Sequence, residues 1–232
     1  MKSDERKLAL RVLRKAGWLK DYPAELAESL IAEGNLVRLN VGEWAQAEGD
    51  DRSGLFVVIE GVLHSYCAAP GDREVMIGLA KAGSVLGHAT RFSGGPRLVT
   101  AVCVEPSILL EISEAALDRV AECRPEIWRA IAGFAYANMR SAVRMAAEVI
   151  SLRPRERIAA RLLAAADGHR ETIMGPTPII RLSQELLGEM TGLTRKTVNV
   201  HLSAFERNGL IEVGYGRIKL CDLERLRAVA ND

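Results

Sequence analysis

The stretch that most constrains this chain is residues 182–209, LSQELLGEMTGLTRKTVNVHLSAFERNG, which predicts two short helices joined by a tight turn. Ser183 stands where an N-cap is needed, with Gln184 and Glu185 in the opening turn of the first helix. Leu186, Leu187 and Met190 recur at helical spacing and predict its buried face. Gly192 supplies backbone freedom to the turn. Thr194 then caps a second helix whose buried stripe is Val198, Leu202 and Phe205, and Asn208-Gly209 ends it. Arg195, Lys196, Thr197, Asn199 and Val200 lie near the start of the second helix, and most face away from that stripe. Such an arrangement suits a helix whose first residues reach base edges in the major groove. The same pattern also occurs in helical hairpins that bind nothing.

Leu210-Ile211-Glu212-Val213 and Arg217-Ile218-Lys219-Leu220 flank Gly214-Tyr215-Gly216, which predicts a hairpin with a glycine-containing turn, the wing of a winged helix. On the stretches LSQELLGEMTGLTRKTVNVHL and LIEVGYGRI, the segment resembles the DNA-binding domain of the Crp/Fnr family of bacterial transcription regulators. The resemblance extends over nearly the whole chain and implies an α+β protein in three parts. Residues 1–124 would form N-terminal helices and an antiparallel β-roll, a cyclic-nucleotide-binding-like jelly roll. Residues 125–152 would form a dimerisation helix, and residues 153–232 a winged helix-turn-helix. The implied partners are double-stranded DNA and a second copy of the chain, with RNA polymerase as a further contact where transcription is activated. Arg195 is the first expected base reader, since Arg bonds both guanine acceptors in the major groove, and Lys196 and Asn199 are secondary. Ser183, Gln184, Thr194, Thr197 and Arg217 are expected to contact phosphate and fix the register. Many relatives follow the first arginine with Glu and place another Arg four residues beyond it. Here those positions are Lys196 and Val200, so the half-site of the cAMP receptor protein is not the expected target.

The 232 residues suffice for two modest domains. A net charge of +1 hides an asymmetry: residues 1–152 hold 18 Lys+Arg against 20 Asp+Glu, and residues 153–232 hold 13 against 10. A positive balance of that size is weak support for nucleic acid, because phosphate contacts need local clusters more than a high total. No apolar run approaches the ~20 residues of a membrane helix. The N-terminus, MKSDERKLALRVLRKAG, carries charges throughout and lacks the apolar core of a secretory signal, so a cytoplasmic protein is expected. The four cysteines, Cys67, Cys103, Cys123 and Cys221, form no CxxC pair, which argues against a structural zinc or a disulfide framework. Oxygen-sensing members of the family hold an iron–sulfur cluster through N-terminal cysteines, and no cysteine precedes Cys67. No carboxylate pair, nucleophile–base spacing, Walker-type loop or metal-ligand cluster is present, so an enzyme is not expected. A sensor that signals through a protein partner without touching DNA stays open.

Residues up to about Glu33 predict helix, with Leu8, Val12, Leu13, Leu26, Leu30 and Ile31 as apolar positions and Pro23 in the first turn of a second helix. From Leu36 to Ile112 the signal changes to short strands, at residues 36–39, 55–59, 62–67, 75–79, 99–104 and 108–112. Gly42, Gly49, Gly54, Gly61, Gly71, Gly78, Gly83 and Gly87 punctuate this stretch every five to twelve residues. The turns around Gly42, Gly49, Gly54 and Gly61 resemble those of the cyclic-nucleotide-binding roll, with another all-β sandwich as the alternative. Residues 85–100, VLGHATRFSGGPRLVT, fall where a cyclic-nucleotide binder holds its phosphate. Relatives that bind cAMP show a Gly-Glu pair, a short helix, then Arg-Ser-Ala. This chain keeps Gly87 and Arg97 but has His88 for the glutamate, Leu98 for the serine and Val99 for the alanine. The pair of base-contacting hydroxyl residues on the long helix is matched by Ala142 and Val143, with Met139 one turn earlier. Those changes remove hydrogen bonds worth roughly 1 to 3 kcal/mol each, so cAMP is not the expected effector. Three readings stay open for His88: a haem ligand, a hydrogen-bonding group for another small molecule, or a packing residue. The cofactor is left unknown, and a cyclic-nucleotide response through a divergent pocket stays open.

Residues 125–152 give the longest helical pattern, apolar on two faces: Ile127, Ile131 and Phe134 form one stripe, and Trp128, Ala135, Met139, Ala142, Ala146 and Val149 another. A helix apolar nearly all round needs two partners, the roll on one side and a dimer mate on the other, or burial in a monomer core. Arg153-Pro154-Arg155 breaks it and is a candidate hinge before a helix over residues 155–166. A small hairpin is expected around Gly175-Pro176-Thr177-Pro178, between residues 172–174 and 179–182. Asp222 caps a last helix, residues 223–230.

Overall fold

The structure, a computed structural model, describes residues 3–51, 54–167 and 178–231. The chain divides into two compact units, one running to Arg140 and the other starting at Ser141.

The first unit opens with α1 (Ser3–Lys15) and α2 (Ala24–Glu33). Asp4 and Glu5 at the start of α1 and Arg14 and Lys15 at its end complement the helix dipole. Pro23, expected inside the first turn of α2, is its N-cap instead, with extended backbone at ψ 146°. Two antiparallel four-stranded sheets follow. One holds β1 (Asn35–Leu39), β8 (Ser107–Ile112), β3 (Leu55–Glu60) and β6 (Val85–Leu86) in that order. The other holds β2 (Trp44–Gln46), β7 (Thr100–Cys103), β4 (Val62–Ala69) and β5 (Arg73–Lys81). Helix α3 (His88–Ser93) sits between β6 and β7, and α4 (Glu114–Cys123) follows β8. Helix α5 (Glu126–Ser151) leads out of this unit.

Strand β3 explains the unbroken apolar run LFVVI. Leu55, Val57 and Ile59 face a core shared with α1, α2, α4 and the start of α5, built on Leu13, Leu26, Leu30, Leu117, Ile127 and Ile131. Val58 faces the opposite way, into a second core between the sheets with Leu63, Ala80, Leu86, Ala101, Cys103 and Leu109. A strand buried on both faces loses its polar alternation.

The second unit packs α6 (Pro154–Asp167), α7 (Gln184–Thr191), α8 (Arg195–Arg207) and α9 (Leu223–Ala230) with a three-stranded sheet. That sheet runs β10 (Ile211–Gly214), β11 (Arg217–Leu220), β9 (Ile179–Ile180). Ile158, Leu162, Leu187, Val198, Leu202, Phe205, Ile211, Ile218 and Leu226 are buried in it. The end of α5 is tied to this unit by charge. Glu148 and Arg161 form a buried ion pair, and Arg144 Nε donates to Glu148 at 3.1 Å. Arg157 donates to the carbonyls of Leu152 at 3.0 Å and Thr191 at 2.9 Å. The Arg153-Pro154-Arg155 break, a hinge candidate on sequence, is therefore spanned by hydrogen bonds on both sides.

Several elements depart from the sequence expectation. Strands β2 and β6 and helix α4 have no counterpart in the sequence pattern read above; β2 and β6 are only three and two residues long. The signal for α4 was present in Ser113, whose side chain caps Ala116 N, followed by Leu117 and Val120 at helical spacing. Trp128 packs against the first-unit core with Phe134, so it belongs to the stripe of Ile127 and Ile131 and not to the outer one. The hairpin expected around residues 172–177 lies outside the described residues.

Gly61 tests the corner geometry. Its φ is +93°, and an added Cβ would lie 2.7 Å from Ser107 Cα. Gly49, at φ +87°, has open space at the same place. Gly61→Ala is expected to destabilise the protein by about 2 to 4 kcal/mol and Gly49→Ala by about 1 kcal/mol, as measured by urea denaturation.

Candidate functional site

The second unit exposes one organised polar surface. Ser183 Oγ accepts from Leu186 N at 3.1 Å and so starts α7, and Gly192 ends it in the left-handed region. Thr194 Oγ1 accepts from Thr197 N at 3.2 Å and starts α8. Val198, Leu202 and Phe205 then anchor α8 in the core. At about 100° per residue, this anchor leaves Lys196, Val200 and Arg207 most nearly opposite the core, and Arg195 and Asn199 on one flank. All five are exposed. Thr197 is half-buried, its hydroxyl 3.0 Å from that of Thr194. The wing is held to α8 by Glu206, whose carboxylate accepts from Val213 N at 2.8 Å. Lys219 and Glu212 pair across the wing at 2.9 Å. Arg217 is exposed beside Gly214, and Tyr215 stands fully exposed at the tip.

Each residue expected at a DNA contact thus lies on α7, α8 or the wing. Ser183 and Thr194 already spend an acceptor on their own helix caps. Val200, which stands where many relatives carry a second Arg, lies exposed in the middle of the outward face of α8. Tyr215, between the wing glycines, is an exposed residue with no role in the sequence reading, and the Gly-Tyr-Gly turn is the signal that points to it.

In the first unit, Gly87, His88 and Arg97 come together. Arg97 is 3% exposed. Its Nη1 donates to Gln46 Oε1 at 3.1 Å and to the Gly54 carbonyl at 3.2 Å, and the guanidinium lies 5.9 Å from the Phe56 ring centre. Its Nε is buried without a partner. Gly87, at φ +83°, is required here twice over: a Cβ would fall 1.6 Å from Arg97 Nη1. Burial pushes the Arg97 pKa down, against the opposing attraction of Asp50. His88 begins α3, meets the Phe134 ring edge-on at 5.1 Å, and has Nε2 3.5 Å from Asn138 Nδ2, while its Nδ1 is buried without a partner. The α5 side chains that meet His88 are therefore Phe134 and Asn138. Met139, Ala142 and Val143 are exposed along α5. Leu98 is 65% exposed, so its side chain points out of the roll. Val99 is half-buried and its carbonyl accepts from Gln46 Nε2 at 2.8 Å. Gln46 thus joins Arg97 to the neighbouring backbone; an isolated polar residue in a three-residue strand gave no sequence signal for that role.

His88 and His64 both have pKa values below the ordinary 6.5: burial lowers both, and the charge of Arg97 lowers His88 further. The unfolded chain then binds protons that the folded chain does not, so stability is present above pH ~6.5 and falls as pH drops below it. Replacing both histidines with Gln is expected to flatten the slope of unfolding free energy between pH 7 and 5.5, which is at most about 1.4 kcal/mol per pH unit for each proton, measured by urea melts.

Comparison with known proteins fits both halves of this arrangement. Residues 36–122 match a family described as the cyclic nucleotide-binding domain, and residues 156–229 match the Crp-like helix-turn-helix domain. The chain is 27% identical over 202 residues to the nitrogen fixation regulation protein FixK of Bradyrhizobium diazoefficiens, covering 85% of this chain and 82% of that protein. It is 24% identical to the CRP-like cAMP-activated global transcriptional regulator of Mycobacterium tuberculosis, covering 93% of this chain and 96% of that protein. Among solved structures, the c-di-GMP responsive global regulator CLP of Xanthomonas campestris superposes with a TM-score of 0.71 at 22% identity, over 86% of this chain and all of that one. FixK2 from Bradyrhizobium japonicum also gives 0.71, at 20% identity, over 84% and 96%. With a match to the cyclic nucleotide-binding domain followed by one to the Crp-like helix-turn-helix domain, and relatives of the same kind aligned over most of its length, the chain belongs to the Crp/Fnr family of transcription regulators.

Proposed function

We propose that this regulator works as a homodimer that binds an inverted-repeat operator through α8 and the wing, under the control of a ligand other than cAMP. The observation that carries the DNA reading is the outward face of α8. Lys196 and Arg207 are exposed opposite the side locked in the core, and Arg195 and Asn199 are exposed on its flank, so their direction is set before DNA arrives. Arg195 and Lys196 fit guanine acceptors, Asn199 fits adenine, and Ser183, Gln184, Thr194, Thr197 and Arg217 fit phosphates.

The dimer reading rests on α5. Tyr136, Met139, Val143, Ala146 and Ile150 follow one another by three and four residues, the spacing of a two-helix seam. Met139 is 57% and Val143 64% exposed in the single chain, an apolar stripe that a second copy of α5 would cover. Two α8 helices about 34 Å apart would then enter successive major grooves on one side of the duplex.

Two observations support an effector different from cAMP. His88 stands where cAMP-binding relatives place a ribose acceptor, and Arg97 Nη1 is engaged by Gln46 and Gly54. A ligand acts here only by favouring one arrangement of the dimer over another. The contact of Phe134 and Asn138 with His88 offers such a ligand a path from the roll to α5. It also favours a coupling role for His88 over that of an iron ligand.

Three outcomes test the proposal. Arg195→Ala is expected to weaken binding to a selected operator by about 10- to 100-fold and relax its guanine preference, measured by fluorescence anisotropy. Val143→Glu is expected to shift the protein from dimer to monomer in analytical ultracentrifugation, with loss of operator binding. Operator affinity is expected to stay the same with and without saturating cAMP; a rise with cAMP would sink the effector reading and leave the DNA reading standing.

A further inference from the structure

Val200 has no structural reason to be apolar. It is 61% exposed and lies nearly opposite the anchor of Val198, Leu202 and Phe205. A β-branched residue on an exposed helix face costs some helix propensity relative to Ala or Lys and gains nothing in packing. Its neighbours on the outward side of α8 are polar or charged: Lys196 one turn before, Asn199 beside it, Ser203 and Arg207 beyond. Single exposed apolar residues are common and usually carry no meaning. This one differs in position, since it occupies the centre of the face that the proposed function turns toward the bases. The major groove displays one apolar group, the C5-methyl of thymine, and a short branched aliphatic side chain is its complement.

We infer, resting on that DNA-binding reading, that Val200 is a specificity determinant that packs against a thymine methyl in each half-site. The cations on either side set its depth and register: Lys196 and Arg207 lie along the same face, and Arg195 flanks it. The contact would make thymine preferred over cytosine or uracil at one step, next to the base pairs read by Arg195 and Asn199. Since the face has no second exposed aliphatic residue, one methyl-dependent position is expected per half-site.

The test begins with selection of operators from a random duplex library by the full-length protein. Each thymine of the selected site is then replaced by deoxyuridine, which removes only the methyl, and affinities are measured for the wild type and for Val200→Ala. The expected result is one position per half-site where deoxyuridine weakens the wild type about 3- to 5-fold, the worth of one buried methyl. At that position Val200→Ala binds the thymine and deoxyuridine sites equally. Wild-type indifference at every position would overturn the inference, and so would a penalty that persists in the variant. Should Val200→Ala lose measurable binding, Val200→Thr, which keeps one branched methyl, replaces it: a reduced penalty supports the contact and an unchanged penalty overturns it. Failure of the wild type to select any duplex would remove the DNA-binding reading itself, an outcome visible before any substitution is made.

Discussion

The insertion of Val198, Leu202 and Phe205 into the core of the second unit is the contact on which the functional surface depends. Three apolar side chains on one stripe fix the rotation of α8 about its own axis. Once that rotation is set, helical geometry decides which residues point away. The caps at Ser183 and Thr194 and the left-handed Gly192 set where each helix starts and stops. Glu206 then holds the wing beside α8 through the Val213 amide. None of these groups need touch DNA, yet each governs the aim of those that would.

The first unit shows a different constraint, the burial of a charge. An unpaired guanidinium away from water is costly, so Arg97 must be hydrogen-bonded where it stands. Gln46 and the Gly54 carbonyl serve Nη1, and Phe56 offers a ring face. The close approach is possible because Gly87 has no side chain to block it. This grouping ties β2, β3 and the start of α3 to one cation. A ligand that engages Arg97 would act on all three, and through His88 on Phe134 and Asn138 of α5.

Charge also settles what the proline break after α5 means. Helices that end at proline are natural places for flexure, but here Arg157 grips carbonyls on both sides and Glu148 is buried against Arg161. Losing Glu148 would leave the buried Arg161 without its charge partner, which is strongly unfavourable. The last turns of α5 therefore belong to the second unit.

Local patterns alone determined much of this protein. The two short helices, their caps, the wing, the long helix and six strands of the roll are legible because each depends on residues a few positions apart: a cap, a period, a turn glycine. The residues of α8 that face outward are legible for the same reason, since period and stripe together give direction. Strands β2 and β6 were not, because two or three residues carry no period and their pairing is supplied by distant strands. Nor were the partners of Arg97, the exposure of Leu98, the role of Trp128 or the clamp around Arg157. Those depend on which side chains meet across long separations in sequence, and only the closed fold brings Gln46 to Arg97 or Thr191 to Arg157.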